Sequence, residues 1–290
     1  MLSTSGSIVP GLSSLADRYD AILCDVWGVI HNGVSVFPGS VEALDAYRKR
    51  TGKPVVLITN APRPSPPIVE QLHELGVPRT AFDDIVTSGD VTADLIRREG
   101  IRKVNHIGPV RDHSLFDELG IERVAPGDTD TIVCTGLIDD TVETPEDYRD
   151  MLQEFIDAGQ RMICANPDIV VERGNTLIYC AGALAALYET LGGETIRLGK
   201  PYAPIYEGAR ERIRTIAGDL PPSERILAIG DGMFTDIKGA NQAGLSALFV
   251  TSGIHSDDFG SVDAPDPARI ADRLETEGLQ AAASIVRLRW

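Results

Sequence analysis

Short apolar runs alternate along this chain with stretches in which apolar residues recur every three or four positions. The runs "YDAILCDVW" (19–27), "KPVVLITN" (53–60) and "RILAIGDG" (225–232) are typical of strands, and each has a polar residue at or near its end. The stretches "PGSVEALDAYRKRTG" (38–52) and "APIYEGARERIRTIAG" (203–218) have the helical period, with proline near the start and glycine at the end. This alternation predicts an α/β fold with a mostly parallel sheet.

The pattern changes near residue 86 and changes back near residue 195. Between these points the strand-like runs are shorter, and they alternate with helical stretches such as "GALAALYETLGG" (182–193). We therefore predict a core formed by residues 1–87 and 195–290, with a smaller α/β domain, residues 88–194, inserted into it. The expected fold class is a Rossmann-like, doubly wound parallel sheet that carries this insertion.

The balance of charge excludes one large class of partners. With 27 Lys and Arg against 43 Asp and Glu, the chain has a net charge of −16, so nucleic acid would be repelled. An anionic metabolite would need a local positive centre, such as a metal ion or a well-placed lysine. No apolar stretch approaches the length of about 20 residues that crosses a bilayer, and the N-terminus has no signal-peptide pattern. The four cysteines lack metal-ligand spacing and are expected to be reduced and buried. We expect a cytoplasmic protein that binds neither membranes nor nucleic acid.

Polar side chains suited to one chemistry follow the predicted strands. The set comprises Asp25, Thr59, Asp231 and Asp236, with Lys200 just before a helix. Ligands of open parallel sheets bind beyond the carboxyl ends of the strands, and paired carboxylates suit Mg²⁺. A lysine and a hydroxyl could hold phosphate oxygens, and a carboxylate aimed at phosphorus can act as a nucleophile. The alternative is that each aspartate caps a helix or a turn, as aspartate often does.

In chain order, these residues resemble the motifs of a known superfamily. Asp25, Thr59, Lys200 and the run "GDGMFTD" (230–236) are similar to the four motifs of the haloacid dehalogenase-like hydrolases. The insertion between Thr59 and Lys200 is similar to a large type-two α/β cap. Within it, "ANPD" (165–168) resembles a cap signature of the NagD-like phosphatases. Single motifs of this kind are weakly specific, whereas four in order with an α/β insertion are strongly specific.

The resemblance implies a phosphatase that works through an aspartyl-phosphate and Mg²⁺. By this analogy Asp25 is the nucleophile, and it also binds the metal. The other implied ligands are Asp231 and the main-chain carbonyl of Trp27, and Asp236 would either bind the metal directly or support it and its waters. Thr59 would donate a hydrogen bond to a phosphoryl oxygen.

The same resemblance implies residues that hold the substrate. Lys200 would neutralise the charge that develops between the nucleophile and the phosphoryl group, and the Asn60 amide would support Thr59 at the phosphoryl oxygen. His31 would lie in a flexible turn at the mouth of the site, close to the cap. Asn166 and Asp168, in the cap, would help to select the leaving group.

The sequence departs from the family pattern at Trp27. Phosphatases of this superfamily carry an aspartate two residues after the nucleophile, which protonates the leaving oxygen and then activates water. Indole has no useful acid or base character near neutral pH, and positioned acid–base catalysis typically contributes about 10²- to 10⁴-fold. Ordinary alkyl phosphates should therefore be hydrolysed slowly, although the main-chain carbonyl of Trp27 can still bind metal.

This departure leaves three outcomes open. The substrate can have a good leaving group, such as an acyl phosphate, an aryl phosphate or an anhydride. Another group can supply the proton, and His31 is the nearest candidate in sequence. The protein can also bind a phosphorylated ligand in a regulatory role without efficient turnover. Trp27 itself can be a wall that excludes bulky substrates, or a core aromatic.

The favoured function is a Mg²⁺-dependent phosphatase of a small phosphorylated metabolite. The alternative is a catalytically weak homologue that binds a phosphorylated ligand. The resemblance also implies that a homodimer can form. A dehalogenase, which needs no Mg²⁺, fits less well because the "GDGMFTD" run suits a metal. His106 and His113 are expected at the surface or in loops, since their spacing is poor for a metal pair.

Overall fold

The computed structural model describes residues 7–117, 119–174 and 176–290. Contacts between residues divide the chain into two compact units. The first, which we call the core unit, comprises Met1–Thr59, Val69–Val86 and Tyr206–Trp290. The second, the inserted unit, comprises Asn60–Ile68 and Thr87–Ile205. In this division Lys200 groups with the inserted unit, whereas the predicted core resumed at residue 195.

Strands and helices alternate along the chain, as the sequence pattern predicts. The strands are β1 (Ala21–Asp25), β2 (Val55–Thr59), β3 (Asp84–Thr87), β4 (Lys103–Ile107), β5 (Glu122–Arg123), β6 (Thr131–Cys134), β7 (Arg161–Cys164), β8 (Val170–Arg173), β9 (Thr176–Tyr179), β10 (Glu194–Arg197), β11 (Ile226–Gly230), β12 (Ser246–Val250) and β13 (Ala283–Ile285). The α-helices are α1 (Pro38–Thr51), α2 (Ser65–Glu74), α3 (Ser88–Glu99), α4 (Ser114–Asp117), α5 (Arg149–Asp157), α6 (Ala181–Thr190), α7 (Ala203–Ala217), α8 (Lys238–Gln242) and α9 (Pro267–Thr276). Across the described part of the chain, no helix has both the length and the apolar character that a bilayer span requires.

The core unit is built on a sheet whose strand order is β13-β12-β11-β1-β2-β3. At its centre, β1 pairs in parallel with β11 on one side and with β2 on the other. Every residue of β1, β2 and β11 is buried, as expected for parallel strands covered on both faces. Helix α1 ends at Gly52, whose φ of 67° is a left-handed conformation that glycine adopts at low cost.

The inserted unit has its own sheet, with strand order β10-β7-β6-β4-β5, and an antiparallel hairpin of β8 and β9. The pairings within that sheet are all parallel. Side chains from the sheet and from α5 and α6 form one buried cluster, which includes Leu152, Phe155, Leu184 and Tyr188. The predicted fold class, a Rossmann-like α/β core that carries a smaller α/β insertion, is confirmed.

The sequence pattern missed four short strands, β5, β8, β10 and β13. Three of them, β5, β10 and β13, lie at the edges of their sheets. Strands β5 and β10 also carry charged residues at both ends. An edge strand is paired on one side only and is often polar, so it lacks the continuous apolar run by which central strands are recognised.

The cysteines are placed as the sequence predicts. Cys24, Cys134, Cys164 and Cys180 are all buried, and none forms a disulfide. Burial raises the pKa of the Cys164 thiol to about 12, so the reactive thiolate is disfavoured near neutral pH. These thiols therefore act as small apolar side chains in the packing.

His106 is not the surface or loop residue that we expected from its sequence context. It is half-buried in β4, and its Nε2 lies 2.9 Å from Thr135 Oγ1. The rings of His113 and Phe116 pack edge-on against it, with centroids 5.3 and 4.9 Å away. Burial, with His113 and Arg123 nearby, lowers the pKa of His106 from 6.5 to about 4. The imidazole is therefore neutral near neutral pH.

We expect His106 to make the inserted unit less stable as the pH is lowered from 6.5 to about 4. In this window the unfolded chain binds a proton at His106 that the folded chain does not bind. The free energy of unfolding should therefore decrease, by up to about 3 kcal/mol from this group. The variant His106→Gln should lose less stability than the wild type over this range, as measured by urea unfolding at several pH values.

The matched control for this experiment is His73→Gln, which removes an exposed histidine of α2. Because its side chain is exposed, this variant removes a histidine without opening a buried site, and it is the reference with which His106→Gln is compared. Equal pH dependences for the wild type and His106→Gln would contradict the prediction.

Candidate active site

Three aspartates meet at the carboxyl edge of the core sheet. Asp25 is the last residue of β1, and Asp231 directly follows β11. Because these two strands are paired in parallel, they end at the same edge. Asp236 lies in a π-helical turn, Met233–Ile237, rather than in a regular α-helical turn. Carboxylate oxygens of the three aspartates all lie within 4.8 Å of one another.

Burial makes this cluster unfavourable without a cation. Asp25, Asp231 and Asp236 are 5%, 7% and 5% exposed. Like charges at this spacing repel, and removal from water adds to the cost. Oxygen ligands alone suit Mg²⁺, which usually keeps several waters and binds substrate phosphate. The donor set therefore fits Mg²⁺, and within the described residues it is the one such group of three or more Asp, Glu, His or Cys side chains.

Main-chain amides orient two of the three carboxylates. Asp236 Oδ2 accepts from the N–H of Gly232 at 3.0 Å and from the hydroxyl of Thr235 at 3.4 Å. Asp231 Oδ2 accepts from the N–H of Ile254 at 3.1 Å. Hydrogen bonds to a charged acceptor are stronger than neutral ones, so the surrounding backbone sets the angles of these carboxylates.

Glycines surround the acidic cluster because a larger residue would collide with it. A Cβ atom on Gly28 would lie 2.3 Å from Asp231 Oδ2, and one on Gly253 would lie 1.9 Å from the same atom. A Cβ atom on Gly230 would lie 2.2 Å from Asp236 Cγ. Gly28 also has a φ of 83°, in the left-handed region that favours glycine. No role was predicted for these glycines from the sequence, although those in "VWG" and "GDG" adjoin predicted ligands.

Thr59 ends the strand on the other side of β1. In the parallel pairing of β2 with β1, Asp25 lies beside Ile58, one residue before Thr59. Thr59 is 6% exposed, and its hydroxyl can donate to an oxyanion. The core unit therefore brings four of the predicted residues to one edge of its sheet: Asp25, Thr59, Asp231 and Asp236.

Trp27 and His31 pack against each other in the turn after β1. Their ring centroids are 5.2 Å apart in an edge-on arrangement, and the N–H of Gly28 donates to the His31 carbonyl at 2.8 Å. His31 is 3% exposed, and its Nδ1 accepts from the N–H of Gly33 at 2.9 Å. Burial lowers the pKa of His31 from 6.5 to about 4. The sequence suggested a flexible turn here, whereas the structure shows a hydrogen-bonded turn with a buried, neutral histidine.

The remaining predicted residues lie in the inserted unit and share one hydrogen-bond network. Asn60 Nδ2 donates to Asp168 Oδ1 at 2.8 Å, and Asn60 Oδ1 accepts from the N–H of Lys200 at 2.6 Å. Asn166 Oδ1 accepts from the N–H of Asp168 at 3.1 Å. From the sequence, Asn60 and Lys200 were predicted at the phosphoryl group and Asn166 and Asp168 at the leaving group, and no signal in the sequence indicated that the four are joined.

Two models of protein families match the chain. One, described as haloacid dehalogenase-like hydrolase, matches residues 22–122. The other, described as HAD-hydrolase-like, matches residues 197–276. The two matches together include the strand ends that carry the acidic cluster.

Individual proteins with similar sequences and structures include named phosphatases. A haloacid dehalogenase-like hydrolase from Brucella suis is 47% identical, with a TM-score of 0.86 over 97% of this chain and 100% of that chain. Ribonucleotide monophosphatase NagD of Escherichia coli K12 is 30% identical over 247 residues, which cover 83% of this chain and 91% of NagD. The D-glycerol 3-phosphate phosphatase of Mycobacterium tuberculosis is 29% identical over 254 residues, which cover 84% of this chain and 66% of that protein. The similarity to the Brucella suis hydrolase extends over both units.

We expect Gly253→Ala to weaken the binding of Mg²⁺. The added Cβ would lie 1.9 Å from Asp231 Oδ2, so the carboxylate must move out of the acidic cluster. Changes next to metal ligands typically cost about 10- to 100-fold in affinity, and we expect a loss of that size by calorimetric titration with Mg²⁺.

Gly136→Ala is the matched control, because a Cβ on Gly136 would have its nearest neighbour at 3.8 Å, an ordinary contact. This variant should bind Mg²⁺ as the wild type does. A folded Gly253→Ala protein with undiminished Mg²⁺ affinity would show that the acidic cluster is not the metal site.

Proposed function

This chain belongs to the haloacid dehalogenase-like hydrolases, in the NagD-like group, and we propose that it is a Mg²⁺-dependent phosphatase of a small phosphorylated metabolite. The observation that carries the proposal is the cluster of Asp25, Asp231 and Asp236, with oxygens within 4.8 Å at the edge of a parallel sheet. The relatives named above, a nucleotide phosphatase and a glycerol phosphate phosphatase, support the same substrate class.

Four groups of the core unit are the proposed metal ligands. They are the carboxylates of Asp25, Asp231 and Asp236 and the main-chain carbonyl of Trp27. A bound Mg²⁺ would offset the repulsion among the carboxylates and polarise the phosphoryl group. Trp27 can take part because a main-chain oxygen does not depend on the identity of the side chain.

Asp25 is the proposed nucleophile. One carboxylate oxygen attacks phosphorus and forms an aspartyl-phosphate, while the bond from phosphorus to the leaving oxygen breaks. Water then attacks the same phosphorus, which releases inorganic phosphate and restores the Asp25 carboxylate. Thr59 donates a hydrogen bond to a phosphoryl oxygen, and Lys200 supplies positive charge to the same group.

Trp27 removes the acid–base half of this reaction. In the phosphatases that the chain resembles, an aspartate at this position protonates the leaving oxygen. Indole cannot do so, and the leaving group must depart as an anion or take its proton from water. A leaving group that is stable as an anion, as in an acyl or aryl phosphate, depends little on that proton. We therefore favour such substrates over alkyl phosphates.

His31 is not assigned as a replacement acid. Its Nδ1 accepts a hydrogen bond from Gly33, and its burial holds the imidazole in the neutral form. A neutral imidazole donates a proton poorly compared with a carboxylic acid or an imidazolium. Its contacts with the turn indicate that His31 helps to hold Trp27 in place.

A second candidate function is the binding of a phosphorylated ligand in a regulatory role. The same residue, Trp27, favours this alternative. A site that keeps the nucleophile and the metal ligands but lacks an acid–base group can bind phosphate well and turn it over slowly. The two functions differ in whether phosphate release exceeds that of a protein without the nucleophile.

We expect Mg²⁺-dependent phosphate release from acetyl phosphate and p-nitrophenyl phosphate. Sugar phosphates and nucleotides should be slower by about 10²- to 10⁴-fold, the typical contribution of a positioned acid. Phosphate release is measured with Mg²⁺ and with a chelator. The blank is Asp25→Asn, which keeps the shape of Asp25 but replaces one carboxylate oxygen with NH₂ and removes the negative charge that makes the group nucleophilic.

Each outcome of this panel selects one function. Phosphate release only from the substrates with good leaving groups supports a phosphatase without a general acid, provided that Asp25→Asn shows no such release. Fast turnover of a sugar phosphate or a nucleotide would mean that another group donates the proton. If no substrate releases phosphate faster than it does with the Asp25→Asn blank, the phosphatase is contradicted and the ligand-binding function is supported.

The variant Trp27→Asp should restore the missing acid. We expect it to raise the turnover of alkyl phosphates by more than that of acyl phosphates, since only the former need protonation of the leaving oxygen. The ratio of kcat for the two classes is the measurement. Trp27→Asn, which has the shape of aspartate but no acid, is the matched control and should leave that ratio unchanged. If the ratio of kcat is the same in Trp27→Asp and Trp27→Asn, the lack of an acid at position 27 does not limit the rate.

A further inference from the structure

The side-chain amide of Asn60 holds the main chain of Lys200 through both of its polar groups. Asn60 Oδ1 accepts from the N–H of Lys200 at 2.6 Å, and Asn60 Nδ2 donates to the Lys200 carbonyl at 3.2 Å. Asn60 is 4% exposed and Lys200 is 3% exposed, so water does not compete strongly for these groups. The amide thereby fixes the point from which the lysine side chain starts.

The Asp168 carboxylate determines which way this amide faces. Asn60 Nδ2 donates to Asp168 Oδ1 at 2.8 Å. An amide turned by half a rotation would place its oxygen against the carboxylate and its NH₂ group against the N–H of Lys200. Both contacts would be repulsive, because an ionised carboxylate only accepts and a main-chain N–H only donates. Asp168 therefore keeps Asn60 Oδ1 directed at Lys200.

The segment that leads to Lys200 packs closely against the side chains of Asn60 and Ser88. Gly199 has a φ of 107°, and a Cβ there would lie 2.6 Å from Asn60 Oδ1 and 2.9 Å from Ser88 Oγ. The hydroxyl of Ser88 donates to the Leu198 carbonyl at 2.7 Å. A shift of this segment must therefore break hydrogen bonds to two buried side chains.

Asp168 is itself held by its own loop and by the start of α6. Its N–H donates to Asn166 Oδ1 at 3.1 Å, and its carbonyl accepts from the N–H of Gly182 at 3.1 Å. A Cβ on Gly182 would lie 2.2 Å from the Pro167 carbonyl oxygen, so the loop lies directly against the helix. The main chain of Asp168 is therefore held in place, which limits the positions that its carboxylate can take.

We propose that Asp168 is a positioning residue that acts through Asn60 to fix Lys200, and that it does not select the leaving group. The inference rests on the proposed function, because Lys200 matters to the rate only if it stabilises the phosphoryl group in the transition state. Misplacing such a group by about 1 Å can cost on the order of 100-fold. The loss should appear in kcat, by the same factor for every leaving group, since Lys200 acts on the phosphoryl group common to all substrates.

The first test compares Asp168→Ala with Asp168→Asn. The alanine variant removes the acceptor, and we expect kcat to fall by about 10- to 100-fold. The asparagine variant loses the charge but keeps an oxygen that can accept from Asn60 Nδ2, so it should recover most of that loss. Asp157→Ala is the matched control, because Asp157 also accepts from a carboxamide, that of Gln153 at 3.0 Å, on the exposed side of α5. This control should keep the wild-type kcat.

The second test is a double-mutant cycle of Asp168→Ala with Asn60→Ala. If Asp168 acts through Asn60, the double variant should be no slower than Asn60→Ala alone, because the amide that Asp168 orients is already gone. Melting temperatures of all variants, measured in the same buffer, separate a loss of folding from a loss of positioning.

Three results would overturn the inference. One is a loss in Asp168→Ala that differs between acetyl phosphate and p-nitrophenyl phosphate, which would place Asp168 at the leaving group. Another is a kcat of Asp168→Asn as low as that of Asp168→Ala, which would mean that the charge of Asp168, and not its hydrogen bond to Asn60, supports the rate. The third is a loss of kcat in the double variant that equals the product of the losses in Asp168→Ala and Asn60→Ala, which would mean that the two residues act independently. Failure of the proposed function is a separate result, since the wild type itself would then release no phosphate above the Asp25→Asn blank.

Discussion

Three carboxylates buried within 4.8 Å of one another are the constraint on which the rest of the candidate site depends. Their mutual repulsion is partly offset by hydrogen-bond donors and by open space that the fold provides around them. Main-chain N–H groups of Gly232 and Ile254 donate to two of them, and glycines leave the space that they occupy. A bound cation would complete that compensation. The strands β1 and β11 end where the cation would be held, so the sheet and the site depend on the same residues.

Trp27 separates two functions that one short segment usually combines in this family. Its main-chain carbonyl can serve a metal whatever the side chain, whereas acid–base catalysis needs a carboxyl group. The indole instead packs on His31, and a hydrogen-bonded turn holds both rings. In the proposed function, phosphoryl transfer to Asp25 would be retained, and proton delivery by a carboxyl group at position 27 would not. Such a site depends on the chemistry of its substrate more than a complete phosphatase does.

The inserted unit contains a hydrogen-bond network of its own around the main chain of Lys200. Asn60 and Asp168 are far apart in sequence, yet their hydrogen bond decides how the Lys200 main chain is held. A loop that belongs to the insertion is thereby tied to a residue assigned to the phosphoryl group. With the proposed role of Lys200, changes in the insertion would alter the rate through this link without touching the reacting atoms.

The sequence by itself determined the central strands, the order of the motifs and the loss of the usual acid at Trp27. It could do so because buried parallel strands are continuous apolar runs, and because catalytic carboxylates follow directly after them. Only the tertiary structure decided that β5, β10 and β13 extend the sheets, since edge strands carry no such run. Only it showed that His31 is buried, that glycines border the carboxylates and that Asn60 joins Asp168 to Lys200. These features depend on distances between residues that are remote in the chain, and no local period of apolar and polar positions encodes such distances.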